Sequence, residues 1–390
     1  TYKFNDDLFK KVTTLPGATN HGMIIMLDWS GSMQDNLKGT VEQLLQLVMF
    51  CRRTKIPFEV FAFTSAFNGR SISNKMDSLD VMEYGDIMID RDVKLLNFFS
   101  SKMSAAEEEK SMHYIWMLAK YMSQTYENWS VSGYPQNPPG NYYLGGTPLN
   151  DSIIMMMDFL PKYKKSTGVQ KLNTIFLTDG ASNSIDRKYK WSKEDIRPSN
   201  DRYDEYGNEI PLPANYEGGV ISTTIKRNNA KIVLTDPVTR KKYTGSVDEY
   251  GYSTGFEYSK QTAVLISFLK ARVPDMTVTN FFIVGGNSRG TISCRDIEFI
   301  FDLDGWRDGD KIKAIQKEIR KNNVAVCTAQ AWDEMYVLPG GKKLDISDDD
   351  MSDIQPGTAK KAELKKAFGK MSSGRKNSRP LLNKFIGMIA

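Results

Sequence analysis

The chain has 390 residues, room for about two or three domains or for one large α/β domain with insertions. Lys and Arg number 52 against 47 Asp and Glu, so the net charge is +5, too mild for a polyelectrolyte tail and no argument for a nucleic-acid partner. Apolar residues make up 40% and aromatics 11%, which excludes wholesale disorder, and the longest apolar runs fall far short of the ~18 residues of a membrane span. Cys51, Cys294 and Cys327 lie far apart without a CxxC pair, so a disulfide framework is excluded and a reducing, cytoplasmic setting is expected. His21 and His113 are too few for a zinc site built on several histidines. The chain opens on Thr1 rather than Met, as expected of a processed or truncated product, and residues 1–20 show no signal peptide.

Residues 1–20 form a polar lead-in. Residues 22–28 (GMIIMLD) are a continuous apolar run, as expected of a strand buried on both faces of a parallel sheet. A Ser/Gly turn follows. Residues 37–53 then place Leu37, Val41, Leu44, Leu45, Val48 and Met49 on one helical stripe. Phe58–Thr64 (FEVFAFT) has strand composition, which completes a βαβ crossover. A short edge strand is expected at 85–89 and a short helix at 94–99. Residues 105–128 read as a helix with Glu107, Glu108 and Glu109 in its first turn, where the helix dipole favours acids. Residues 130–143 are a Pro/Gly-rich loop, 148–160 a helix with Pro at its start, and 172–178 a third core strand. Residues 186–257 are polar and contain a hairpin at 231–234 and 242–245. We read them as an insertion rather than an independent domain.

The alternation then resumes with a helix at 259–272, a strand at 277–284, a helix at 311–321 and a strand at 323–329. An acidic loop (347–353) and helices at 358–370 and 380–389 close the chain. The predicted organisation is a lead-in (1–20), a core (21–185), the insertion (186–257) and completion of the core with C-terminal helices (258–390). The expected fold class is α/β, an open, doubly wound, mostly parallel sheet flanked by helices.

In such sheets ligands bind beyond the carboxyl ends of the strands. Three oxygen-rich turns fall at strand ends or in neighbouring loops: Asp28-Trp29-Ser30-Gly31-Ser32, Gly145-Gly146-Thr147-Pro148-Leu149 and Thr178-Asp179-Gly180. Together they offer two carboxylates and three hydroxyls, those of Ser30, Ser32 and Thr147, with no nitrogen or sulfur. Hard oxygen donors suit Mg²⁺, with Mn²⁺ or Ca²⁺ as alternatives, and Mg²⁺ keeps waters when the protein supplies fewer than about six ligands. Any one of these turns is explained by helix capping. Three of them, in this order and at these places, make a strong signal.

Asp28-x-Ser30-x-Ser32, Thr147 in a Gly-Gly-Thr turn and a Thr-Asp179-Gly turn resemble the metal-ion-dependent adhesion site of von Willebrand factor A domains. The resemblance covers residues 22–186 and extends more loosely to the strand at 277–284. It implies a von Willebrand A, Rossmann-like fold. It also implies that Ser30, Ser32 and Thr147 bind the metal through their hydroxyls. Asp28 and Asp179 would bind directly or through water, and a partner's Asp or Glu would complete the shell. Gly31-Ser32-Met33, Phe61-Ala62-Phe63-Thr64 and Leu177-Thr178-Asp179-Gly180 look like the intracellular members. Among these the chain is most similar to the von Willebrand A subunit of aerobic cobaltochelatase, which works with a MoxR-type AAA+ ATPase. Its ending, Leu381 to Ile386, looks like related proteins of large tailed phages, for which the setting would be the host cytoplasm. The 186–257 insertion departs from the chelatase pattern.

The remaining signals are weaker. Gly285, Gly286 and Gly290 lack the lysine and spacing of a phosphate-binding loop, so ATP chemistry is expected of a partner. Asp302, Asp304, Asp308 and Asp310 miss the glycine offset of a calcium loop. The basic clusters are scattered among acids and read as solvated surface. No nucleophile–base pair stands out. The expected function is a non-enzymatic, Mg²⁺-dependent interaction module that adapts a MoxR-type AAA+ ATPase to a protein with an exposed Asp or Glu. The alternatives are a subunit of a cobalt or magnesium chelatase in cobalamin biosynthesis, and a structural or adhesive virion protein.

Overall fold

The structure, a computed structural model, describes residues 20–65, 87–89, 93–124, 142–180, 182–183, 186–191, 219–224, 231–246, 256–284, 292–301, 303, 305, 307–327 and 331–340. The first half of the core comprises β1 (His21–Asp28), α1 (Gln34–Thr54), β2 (Phe58–Thr64), β3 (Ile87–Met88), β4 (Lys94–Ser100), α2 (Ala105–Gln124), α3 (Leu149–Thr167) and β5 (Lys171–Thr178). Next in the chain come β6 (Asp186–Trp191), β7 (Gly219–Thr224), β8 (Lys231–Thr235) and β9 (Lys242–Ser246). The second half follows as α4 (Phe256–Arg272), β10 (Met276–Val284), α5 (Cys294–Phe301), α6 (Gly309–Asn322), β11 (Ala325–Cys327) and β12 (Glu334–Pro339).

The central sheet has seven strands in the order β11-β12-β10-β5-β1-β2-β4. Its interior pairings are parallel, and the two edge strands, β4 and β11, run antiparallel. The protein is therefore an α/β fold with a doubly wound, mostly parallel sheet. The unbroken apolar run of β1 has a direct cause: both faces of the strand are covered. Met23, Ile25 and Leu27 point into one core with Leu37, Val41, Leu44 and Trp116, from α1 and α2. Ile24 and Met26 point into the other with Ile153, Leu160, Leu265 and Leu269, from α3 and α4. Each such side chain contributes about 1.5–3 kcal/mol on full burial. Among the described residues no helix is long and apolar enough to cross a membrane.

Three local expectations are corrected, and one helix is new. Residues 94–99 form no helix: they are β4, an edge strand antiparallel to β2, and a register shift between Val60 and Phe61 blurs the pattern. Within the strand expected at 323–329, the described residues form β11 (Ala325–Cys327), which runs antiparallel to β12, and the last parallel strand is β12 instead; residues 328 and 329 lie outside the described residues. α5 is a helix that sequence reading passed over. The helix expected to stop at residue 160 runs on to Thr167 through Pro161. Pro161 has no N–H for the carbonyl of Met157, and Arg272 Nη1 reaches that carbonyl at 3.5 Å.

The short edge strand near residue 87 exists as β3, which pairs with β6 in a small second sheet, β3-β6-β7. The predicted hairpin is β8–β9. Its turn is pinned to the C-terminal end of α4, where Asp236 takes an ion pair from Arg272 and Lys241 Nζ donates to the Ser267 carbonyl at 3.2 Å. The lead-in (1–19), most of the 130–143 loop, the glycine turn 285–290, the acidic loop 347–353 and the helices expected at 358–370 and 380–389 lie outside the described residues.

Candidate metal centre

β1 and β5 are neighbours with Leu27 opposite Leu177, so both chains leave the sheet side by side at its carboxyl edge. Asp28 ends β1 and Thr178 ends β5. Thr178 Oγ1 donates to Asp28 Oδ2 at 2.7 Å. Asp28 is fully buried, and its other oxygen, Oδ1, is buried without a hydrogen-bond partner. Burial pushes this carboxyl up to about 7, and the nearby Asp179 charge adds to the push. Hydrogen bonds from Thr178 and Ser30 only partly offset it.

From Asp28 the chain turns through Ser30, Gly31 and Ser32 into α1. Ser30 and Ser32 hydroxyls lie 3.0 Å apart, and Ser32 Oγ donates to Asp179 Oδ1 at 2.8 Å. Burial also raises Asp179, to about 6, against the lowering effect of its bonds to Ser32 and Asn36. Ser30 is 1% exposed, while Ser32 stands open to solvent, so the cluster has an inner and an outer side.

The third turn joins them through the backbone. Ser30 and Gly145 form a parallel bridge, Gly31 N–H donates to the Gly145 carbonyl at 2.8 Å, and Asn183 N–H donates to the Thr147 carbonyl at 2.9 Å. Thr147 Oγ1 and Ser32 Oγ flank one point: a Cβ built on Gly180 would lie 3.7 Å from the first and 3.8 Å from the second. The structure thus brings the residues singled out from sequence together at one rim. Ser30, Ser32 and Asp179 form a hydrogen-bonded chain, Asp28 sits beneath it, and Thr147 enters from the side.

The capping explanation can be tested directly. The N-cap positions of α1 and α3 are Met33 and Pro148, which have no hydroxyl to offer, and the first-turn N–H of Asn150 in α3 is taken by Ser182 Oγ at 2.8 Å rather than by Thr147. The hydroxyls of Ser30, Ser32 and Thr147 are not consumed as caps there. A divalent ion fits what remains. The donors are all oxygen, one carboxylate oxygen is buried and unmatched, and two raised carboxyls would be restored to their charged form by a neighbouring dication. Among the described residues no cluster of three or more His, Cys, Asp or Glu could hold a metal ion. Two carboxylates backed by hydroxyls fall outside that pattern.

Sequence reasoning missed the supporting residues. Thr178 was seen as part of a turn, yet its hydroxyl holds Asp28. Asn150, fully buried at the start of α3, takes bonds from Thr262 Oγ1 at 2.7 Å and gives one to the Asn183 carbonyl at 3.1 Å. Thr64 at the end of β2 accepts from Gly145 N–H at 3.1 Å. Each is a polar residue at a strand or helix end beside an oxygen-rich turn, and that position was the available signal.

No family model and no curated protein sequence matches the chain. Among solved structures it is similar to the pilus adhesin SpaC from Lactobacillus rhamnosus GG in an open conformation, at 12% identity and a TM-score of 0.33 over 79% of this chain. The match spans only 31% of SpaC. It is also similar to the von Willebrand factor domain of the type V pili tip protein Mfa5 from Porphyromonas gingivalis, at 10% identity and a TM-score of 0.27, over 69% of this chain and 82% of that one. The strand order, with antiparallel edges on a parallel sheet wound in both directions, places this chain in the doubly wound, Rossmann-like α/β fold class.

Proposed function

We propose that the chain is a divalent-dependent protein-interaction module in which Asp28, Ser30, Ser32, Thr147 and Asp179 hold Mg²⁺. The observation that carries this reading is Asp28: a fully buried carboxylate with an unmatched oxygen, directly beneath the Ser30–Ser32–Asp179 chain. A bound dication would offer a coordination position to an outside acid, a partner's Asp or Glu. The chain's own residues favour the same visitor. α1 and α3 both begin just past the hydroxyls, and the partial positive charge at a helix N-terminus attracts an anion.

On this reading the module works as an adaptor, with a MoxR-type AAA+ ATPase as the energy-supplying partner. The three turns and the resemblance they carry support that assignment. The test is an affinity pull-down from the native host with and without chelator, repeated with Asp28→Ala. A partner retained only with Mg²⁺ and lost in the variant is expected. A partner held equally by Asp28→Ala would sink the reading, and a retained partner without ATPase motifs would sink the adaptor assignment alone.

A further inference from the structure

We infer that Trp29 is a positioning residue that sets the place of Thr147, an inference that rests on the metal reading above. Trp29 stands between Asp28 and Ser30, and its side chain is fully buried in the core shared with α1 and α2. Its indole Nε1–H donates to the main-chain carbonyl of Tyr142 at 2.9 Å. The ring meets Phe98 edge-on, with centroids 5.2 Å apart and planes at 88°. Phe98 in turn packs against the Tyr142 ring at 6.2 Å. The indole is thus fixed from one side by Phe98 and spends its donor on the stretch that leads to Thr147.

That stretch has little structure of its own. Between Tyr142 and the start of α3 it forms one isolated bridge, Ser30 to Gly145. Its position comes from bonds made by other segments. Trp29 holds Tyr142, Gly31 N–H holds the Gly145 carbonyl, Thr64 accepts from Gly145 N–H, and Asn183 N–H holds the Thr147 carbonyl. Two of these four anchors, Trp29 and Gly31, belong to the turn that carries Asp28, Ser30 and Ser32. The residue between the first two oxygen donors therefore ties their turn to the loop of the third. Partners that hydrogen-bond a metal ligand directly commonly contribute tenfold or more to affinity, and Trp29 acts one step further out, through the Tyr142 carbonyl.

The test is calorimetric titration of Mg²⁺ and Mn²⁺ into the wild type, Trp29→Phe, Thr147→Ala and the double variant. Amide hydrogen exchange over residues 143–147 is measured alongside, without metal. Phe keeps an aromatic ring against Phe98 and removes the donor. Expected are an affinity loss of about tenfold in Trp29→Phe, no additional loss when Trp29→Phe is added to Thr147→Ala, and faster exchange over 143–147. Wild-type affinity in Trp29→Phe, an equal fold-loss in both backgrounds, or unchanged exchange would each overturn the inference.

A wild type that binds no divalent ion would defeat the metal reading by itself, and the exchange measurement would still decide whether Trp29 holds the loop. Should Trp29→Phe fail to fold, Thr64→Val takes its place. It removes the acceptor of Gly145 N–H from the other side of the same loop and is expected to show the same affinity loss and the same dependence on Thr147.

Discussion

Two buried aspartates, one at the end of β1 and one in the β8–β9 turn against α4, handle the cost of burial in opposite ways. Asp236, in the turn of the β8–β9 hairpin, has its partners within the chain. Arg272 Nε donates to Oδ1 at 2.9 Å, Arg272 Nη2 closes the pair, and Thr239 and Val238 supply further bonds. Burial pushes this carboxyl up, but Arg272 and Thr239 overcome that push and hold it well below the usual carboxylate range. Asp28 is held by Thr178 and Ser30 alone, keeps one unmatched oxygen, and has a second carboxylate nearby that raises it further. A carboxylate that serves only the fold is satisfied by the fold. One left short of partners in the interior marks a place where something from outside completes the set.

The sharpest way to break this contrast is to remove each aspartate. Asp236→Ala strands the Arg272 guanidinium, whose side chain is only 15% exposed, and should cost about 3 kcal/mol of stability in urea denaturation. Divalent affinity of the folded protein should be unchanged. Asp28→Asn should act in reverse: a gain of about 1–2 kcal/mol at pH 8 without metal, and no thermal shift on adding Mg²⁺. A destabilised Asp28→Asn that kept its Mg²⁺ response would erase the distinction.

The same distinction explains how much was legible beforehand. β1, α1, β2, α3 and β5 could be read because each is an apolar run or stripe whose period matches its burial. Lys94–Ser100 misled because Leu95, Leu96, Phe98 and Phe99 come in adjacent pairs, without alternation, opposite a bulged register. Met335–Leu338 is a plain apolar run, but the shorter run at β11 took its place in the expected order. At the candidate metal centre the oxygen-bearing residues that the structure brings together were legible, since turns at strand ends expose their chemistry in sequence. Thr178, Thr64 and Trp29 were not. Their roles depend on which strands are neighbours and in what register, and that is fixed only by tertiary pairing.

Acidity separates the two aspartates without mutation. Asp28 rises from 3.8 to about 7 and Asp179 to about 6, so the folded chain holds these protons more tightly than the unfolded one. The associated stability is complete below about pH 4 and is lost as pH rises through 6 to 7. Asp236 has the opposite sign: its contribution is present above its ordinary value and is lost as pH falls below it. In chelator, unfolding free energy should therefore fall by about 1 kcal/mol between pH 6 and 8. The thermal shift produced by Mg²⁺ should grow over the same interval, as protons cease to compete with the ion. A Mg²⁺ shift that shrank with rising pH would place the ion away from these carboxylates.

The smallest effect comes from a single methyl group and bears most directly on where the ion sits. A Cβ on Gly180 would stand 3.7 Å from Thr147 Oγ1 and 3.8 Å from Ser32 Oγ, ordinary contact distances that require nothing to move. Gly146 differs, since its Cβ would come within 2.7 Å of Ser65 Oγ and 3.0 Å of Asn183 Nδ2. Gly180→Ala should therefore change stability by less than about 0.5 kcal/mol. The methyl would nevertheless occupy space between two of the hydroxyls, where an ion and its waters need room. Mg²⁺ affinity should drop about fivefold, roughly the worth of one hydrogen bond. The hairpin anchor at Asp236, against the C-terminal end of α4, should register nothing in hydrogen exchange. Wild-type Mg²⁺ affinity in Gly180→Ala would mean that Thr147 and Ser32 do not share an ion, and the case for the three turns as one site would then fail at its geometric centre.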